Sequence, residues 1–181
     1  TGATLRWFDI TADGRLDLAK AEAEGLINER TRVVSLAWQS NVLGTVLPVA
    51  DVARRAHAVG AVMVVDGSQA VPSMPTDLAA LGADLLAFTG HKMLGPTGIG
   101  VLWGRYELLE KLPPFLGGGE MIEVVTMERT TDARPPARFE AGTPPIAQSA
   151  GLGAAVDYLT GGGIERGAAH EHAVTAHALQ A

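Results

Sequence analysis

Residues 33–66 read VVSLAWQSNVLGTVLPVADVARRAHAVGAVMVVD, and the change of period within them decides the fold class. Val33–Trp38 is a short, continuous apolar run of the kind a parallel sheet buries on both faces. Pro48 stands where a helix can begin, and Val52, Ala53, Ala56 and Val59 follow at helical spacing. Gly60 stops that helix. Val62–Val65 is a second apolar strand and closes on Asp66. Strand, helix, strand in this order predicts an α/β domain with a mostly parallel sheet.

The reading extends outward from that unit. Downstream, Asp77–Leu81 predicts a helical turn, Leu85–Thr89 a third strand and Ile99–Trp103 a fourth, with a helix over Tyr106–Leu112. Residues 113–144 are rich in Pro and Gly and read as irregular, with a strand at Val124–Met127. So long a loop usually has a function. Helices are predicted over Gln148–Leu159 and Ile164–Leu179, interrupted by Gly161–Gly163. Upstream, Thr4–Ile10 alternates and predicts a strand, Ala12–Gly14 a turn, and Leu16–Glu29 a helix.

Composition removes several function classes. The chain has 181 residues, which suits one domain or slightly more at about 150 residues per domain. Apolar residues make up 47%, enough for a core. Fourteen Lys and Arg stand against 20 Asp and Glu, a net charge of -6 that offers no footprint for nucleic acid or an anionic membrane. There is no cysteine, so this chain has no disulfide, zinc–thiolate site or thiol nucleophile. No apolar run approaches a membrane span and Thr1–Asp9 does not read as a signal peptide, which predicts a soluble, cytoplasmic protein.

Ligands of parallel sheets bind beyond the carboxyl ends of the strands. Those ends carry Ser40–Gly44, Asp66–Gln69, and Thr89–Lys92 followed by Gly95–Gly98. A loop lysine is ordinarily solvated. In a Gly-rich turn leaving an apolar strand, Lys92 is also a candidate nucleophile toward a carbonyl once water is removed. Asp66 reads either as a cap or turn residue or as a carboxylate that pairs with a protonated ring nitrogen. Asp66 and Gln69 are close enough for one turn to aim both at a single ligand edge. His91 is structural or exposed when taken alone, but beside Thr89 it can donate to a phosphate. His57, His170, His172 and His177 fall on predicted helices and read as exposed. His170 and His172 do not share a helix face, so no metal site is expected. There is no GxxxxGK[ST] loop, and Gly98-Ile99-Gly100 enters a strand instead of opening a helix, which excludes both common nucleotide motifs.

Taken together, SNVLGT (40–45), VDGSQAVP (65–72), FTGHKMLGPTGIGVLWG (88–104), GGGEMI (117–122) and RFEAGTP (138–144) resemble the class V aminotransferase family. Within that family they are most similar to the Suf-type cysteine desulfurases of iron–sulfur cluster assembly. The resemblance covers nearly the whole chain. It implies the large domain of a fold-type I, pyridoxal-phosphate-dependent transferase: a mostly parallel sheet with one antiparallel strand and helices on both faces. Residues 1–160 would belong to that domain, and 161–181 would be a helix leading to a C-terminal small domain absent from this sequence.

The resemblance also assigns roles. Lys92 would join the aldehyde of pyridoxal 5'-phosphate and shuttle the proton at the substrate Cα. Asp66 would keep the pyridine nitrogen protonated, Gln69 would bond the ring hydroxyl oxygen, and Ser68 would lie against the ring face. Thr89 and His91 would bind the phosphate, Thr143 would reach the phosphate of a neighbouring subunit in a homodimer, and Asn41 would bind the substrate carboxylate. The implied reaction converts L-cysteine to L-alanine and passes the sulfur as a persulfide, with a sulfur-acceptor protein as a partner. A selenocysteine lyase or another class V enzyme shares the same residues. A third reading, a cofactor-free module, would not need to keep them.

The sequence departs from the family pattern at three places. Trp38-Gln39 stand where a histidine commonly precedes the Ser-Asn pair, Thr89 replaces a serine, and Ser68 replaces an alanine. The ring-stacking histidine, an N-terminal phosphate loop, the sulfur-accepting cysteine and the carboxylate-binding arginines have no counterpart. The resemblance therefore implies that these residues are the central part of a longer protein.

Overall fold

The structure, a computed structural model, describes residues 2–180. These divide into two compact units, one of residues 2–88 with 164–180 and the other of Thr89–Gly163.

The first unit opens with an extended segment and then a short helix, α1 (Leu18–Ala23). Residues 4–9 form no strand, contrary to their alternating pattern; a single antiparallel bridge joins Ile10 to Leu16. An alternating stretch becomes a strand only when a neighbour supplies the hydrogen bonds, and the turn at Thr11–Arg15 closes on itself instead, Thr11 donating to the Arg15 carbonyl at 2.8 Å. Lys20 ties this segment to α1 through Asp9 at 2.6 Å, and the bond to that carboxylate holds the ammonium above its ordinary value. The helix starts where the Asp17 side chain accepts from the Lys20 amide. It stops well short of Glu29 because Gly25 adopts φ +57°.

The core of this unit is the predicted βαβ unit. β1 (Val33–Ala37) and β2 (Val62–Asp66) pair in parallel in the register Val33–Val62 through Ala37–Asp66. Between them α2 (Val49–Ala58) buries Val49, Val52, Ala53 and Ala56, a single stripe at helical spacing. The run at 33–37 is buried on alternate residues only: Val34 and Leu36 are inside and Val33 is exposed. An apolar run permits burial on both faces without requiring it. A short helix, α3 (Leu78–Leu81), is capped by Asp77, whose side chain accepts from the Ala79 and Ala80 amides. It leads to β3 (Leu85–Thr89), which adds in parallel to β2 in the register Val64–Leu85 through Asp66–Ala87. Met63, Val65 and Leu86 are the largest side chains sealed in this layer.

The second unit holds β4 (Gly100–Gly104) and α4 (Tyr106–Leu109). The stretch read as irregular contains a hairpin, β5 (Ile122–Val125) with β6 (Thr130–Asp132); the predicted strand Val124–Met127 overlaps only the end of β5, and β6 was not predicted. Its turn is held by the Thr126 hydroxyl, which accepts from the amides of Glu128 and Arg129. A long helix, α5 (Ile146–Gly162), completes the unit. Gly163, at φ +87°, separates it from α6 (Ile164–Ala178), which groups with the first unit. The fold class is the α/β class read from the sequence.

The core predicts its own cost of disruption. Leu86 is 1% exposed and packs against the bare face of Gly67. Leu86→Ala should lower unfolding free energy by about 2–5 kcal/mol, the range for deleting a buried leucine side chain. Urea denaturation measures it, and an unchanged midpoint would show that this layer does not carry the unit's stability.

Candidate functional site

The carboxyl ends of β1 and β2 are adjacent because the strands are parallel and in register. Trp38 donates its amide to the Asp66 carbonyl at 2.8 Å, just past the β1 terminus. Beyond it the chain forms a tight loop. Ser40 donates to the Thr45 carbonyl at 2.9 Å, and its hydroxyl accepts from the Val42 and Leu43 amides at 3.2 and 3.1 Å. Asn41 sits exposed at the tip of that loop.

At the end of β2 the Asp66 side chain is exposed, and one carboxylate oxygen accepts from the Ser68 amide at 2.9 Å. The turn is immediate because residue 67 is glycine. A Cβ there would lie 2.8 Å from Val71 Cγ2 and 3.2 Å from Leu86 Cδ2. The Gly67 carbonyl accepts from Ala70 and Val71, which winds the chain back and presents Ser68 and Gln69. The Gln69 side-chain nitrogen donates to the Asn41 side-chain oxygen. Two residues 28 apart in sequence, both expected at one ligand, are thus brought into contact.

In the second unit the chain leaves β3 at Thr89 and enters a single 3₁₀ turn, Gly90–Lys92. The Thr89 hydroxyl and His91 Nδ1 are hydrogen-bonded at 2.8 Å, which leaves the far ring nitrogen of His91 for a ligand. Gly90 is buried, and its amide donates to the Ile99 carbonyl at 2.9 Å. A Cβ on Gly90 would stand 2.9 Å from Ile99 Cγ2 and about as close to two backbone oxygens. Met93 is buried beneath the turn, whereas His91 and Lys92 are exposed above it. Thr143 follows Gly142, whose φ of +87° needs glycine. The Gly142 amide donates to the Gly119 carbonyl at 2.9 Å, and a Cβ on Gly118 would press on Ala141 at 3.2 Å. The triple glycine therefore seats the segment that carries Thr143.

The structure brings together Asn41 with Gln69, Asp66 with Ser68, and Thr89 with His91. Among the described residues, Lys92 and Thr143 hydrogen-bond to no other member of the set. Asn41, Asp66, Ser68 and Gln69 lie in the first unit, and Thr89, His91, Lys92 and Thr143 in the second. Two open hollows of about 330 and 340 Å³ in the first unit take in none of these residues. Sequence reasoning missed Arg138, whose guanidinium donates to the carbonyls of Ala133, Glu110 and Leu112 and ties three stretches of the second unit together. No group of three His, Cys, Asp or Glu among the described residues could hold a metal ion.

The donor set fits one cofactor chemistry. A pyridoxal phosphate needs a carboxylate for its ring nitrogen, a donor for its phenolic oxygen, donors for its phosphate and an amine for its aldehyde. Asp66, Gln69, Thr89 with His91, and Lys92 are the corresponding types.

Comparison with known proteins agrees. The family model for class-V aminotransferases matches residues 1–181, and the chain belongs to that family. Members of this family are pyridoxal-phosphate enzymes. The chain is 61% identical over 180 residues to a probable cysteine desulfurase of Streptomyces coelicolor and 51% identical over 179 residues to a cysteine desulfurase of Dickeya dadantii. These alignments cover 99% and 98% of this chain but 43% of each relative, so the chain spans less than half their length. Among solved structures, the apo cysteine desulfurase of Thermococcus onnurineus superimposes with a TM-score of 0.90 at 36% identity, over 97% of this chain and 44% of that one. The cysteine desulfurase CsdA of Escherichia coli gives 0.80 at 42% identity, over 86% of this chain and 38% of that one.

The contacts around Gly90 predict that Gly90→Ala destabilises the protein by about 1–3 kcal/mol, because two of the three nearest atoms are backbone oxygens that cannot yield. Thermal denaturation checks this; a melting temperature equal to that of the parent would mean the turn can shift freely.

Proposed function

We propose that this chain is the cofactor-binding centre of a pyridoxal-phosphate-dependent cysteine desulfurase, which converts L-cysteine to L-alanine and leaves the sulfur as a persulfide. The observation that carries the reading is the pairing of Asn41 with Gln69 beside Asp66 at the ends of two parallel strands. The names of relatives at 46–61% identity support the same substrate.

When bound, the cofactor supplies an aldehyde that takes up an amine and a protonated ring that accepts the electron pair released at the substrate Cα. Asp66 would hold the proton on the ring nitrogen, since a nearby carboxylate favours the charged form. Gln69 has two N–H donors; one serves Asn41 and the other remains for the ring hydroxyl oxygen. The contact spends the Asn41 oxygen and leaves its NH₂ to bind the substrate carboxylate. Ser68 would lie against the ring face. Thr89 and His91 would hold the phosphate, with Thr143 serving the phosphate of a partner subunit in a homodimer. Lys92 would supply the amine for the aldehyde and would move the proton at the substrate Cα.

The chain has no cysteine, so the thiol that receives the sulfur lies outside residues 1–181. From there the persulfide passes to an acceptor protein of iron–sulfur cluster assembly in the cytoplasm. Among the described residues no helix is long and apolar enough to cross a membrane. Residues 1–160 form part of the large, cofactor-binding domain, and 161–181 lead toward a small one.

The test uses the intact gene product. It should bind pyridoxal phosphate with a visible absorbance band and form alanine from L-cysteine. Lys92→Ala should abolish the band and lower alanine formation by more than about a thousandfold. Turnover of selenocysteine or another amino acid with L-cysteine untouched would reject the substrate, and a colourless wild-type protein would reject the chemistry.

A further inference from the structure

The first unit contains a buried carboxylate that the proposed chemistry does not use. Asp84 is 8% exposed and immediately precedes β3. Its Oδ2 accepts from the Met63 amide at 2.7 Å and from His57 Nε2 at 2.8 Å. In return the Asp84 amide donates to the Met63 carbonyl at 2.9 Å. Residues 63 and 84 are thus bonded in both directions, once by backbone and once by a side chain standing where a strand carbonyl would otherwise accept. Burying a carboxylate is costly unless it is well paired, and here it is paired to a backbone amide and a histidine.

The location gives this pairing a consequence. The β2–β3 ladder begins just after it, at Val64–Leu85, and ends at Asp66–Ala87. At that far end the Gly67 amide donates to the Ala87 carbonyl at 2.8 Å. The ladder is therefore pinned at its entrance by Asp84 and at its exit by the turn that presents Asp66. A slip of one residue would send every side chain of β2 to the opposite face. Met63 and Val65 would leave the core and Asp66 would change sides. His57 reaches the carboxylate from α2, and Gly82, left-handed at φ +70°, lets α3 close on that helix with 3.1 Å between its Cβ position and the Ala53 methyl.

We propose that Asp84, steadied by His57, is a positioning residue: it sets the register of β2 on β3 and thereby the direction in which Asp66 leaves the sheet. The inference rests on the cofactor role proposed for Asp66 and adds residues remote from the cofactor to it.

The experiment compares Asp84→Ala, Asp84→Asn and His57→Leu with Asp66→Asn in the intact gene product. Three quantities are read: hydrogen exchange at the Met63 amide, the dissociation constant of pyridoxal phosphate, and the wavelength and pH titration of the bound cofactor's visible band. Asp84→Ala strands a buried donor and should speed Met63 exchange and weaken cofactor binding by about ten- to a hundredfold. Its band should move in the same direction as that of Asp66→Asn. Asp84→Asn keeps an acceptor and should restore most of the loss. His57 is part-exposed, so His57→Leu should fold even if Asp84→Ala does not, with exchange about two- to fivefold faster and a smaller band shift of the same sign. Faster Met63 exchange with unaltered affinity and band would reduce Asp84 to a purely structural residue and overturn the proposal. So would unchanged exchange in His57→Leu and Asp84→Ala. A wild-type protein that takes up no pyridoxal phosphate would overturn the functional reading itself, an outcome visible before any variant is made.

Discussion

The parallel ladder from β1 through β2 to β3 is the constraint on which the candidate site depends. Parallel strands that are hydrogen-bonded in register must end at the same edge of the sheet. Ala37 lies opposite Asp66 and Asp66 opposite Ala87, so strands far apart in sequence run to one edge of the sheet. Each strand end then needs only a short polar loop to contribute a functional group. The apolar residues behind the edge, Met63, Val65 and Leu86 together with the α2 stripe, are buried and hold the ladder. Core packing and site geometry are consequences of the same register.

Sharp turns are the second requirement, and glycine meets it by two separate means. At Gly67 and Gly90 the backbone angles are open to any residue, and it is space that is lacking: a side chain would run into Val71, Leu86 or Ile99. At Gly142 the reverse holds, since nothing lies near its Cβ position but φ is +87°. Both kinds place a polar residue within two positions of a rigid anchor. At these three positions glycine is thus tied to an individual turn and does not signal flexibility.

How much of this could be read from the sequence follows from where the determining contacts lie. β3 was legible to the residue because apolar side chains fill Leu85–Phe88 and a Gly-His-Lys turn bounds them. α2 was legible because its stripe and its terminating Gly60 are local. The segment at 4–10 was misread because alternation does not reveal whether a partner strand exists, and β6 was missed because Thr130–Asp132 is short and polar. Candidate residues at strand ends were found by a rule of topology, but their pairings were not. The contact between Gln69 and Asn41 spans 28 positions, and that between Asp84 and His57 spans 27. No local pattern encodes either. The Met63–Asp84 exchange was also out of reach, because an aspartate before a strand reads as a turn residue until its buried partners are seen.

The division of groups between the two units bears on how such a site could be assembled. The residues suited to the ring nitrogen, the ring hydroxyl and the substrate carboxylate are all built on the βαβ unit, where each is fixed by hydrogen bonds of that unit alone. The residues suited to the phosphate and the aldehyde begin at Thr89 and are fixed by the Gly90–Ile99 and Gly90–Met93 bonds of the second unit. Each half of the donor set is therefore shaped before any cofactor is considered, which lowers the ordering that binding must impose. Within the first unit, β3 begins one residue after Asp84, whose carboxylate accepts from the Met63 amide at the entrance of the β2–β3 ladder, so the strand that borders Asp66 takes its register from a contact inside that unit.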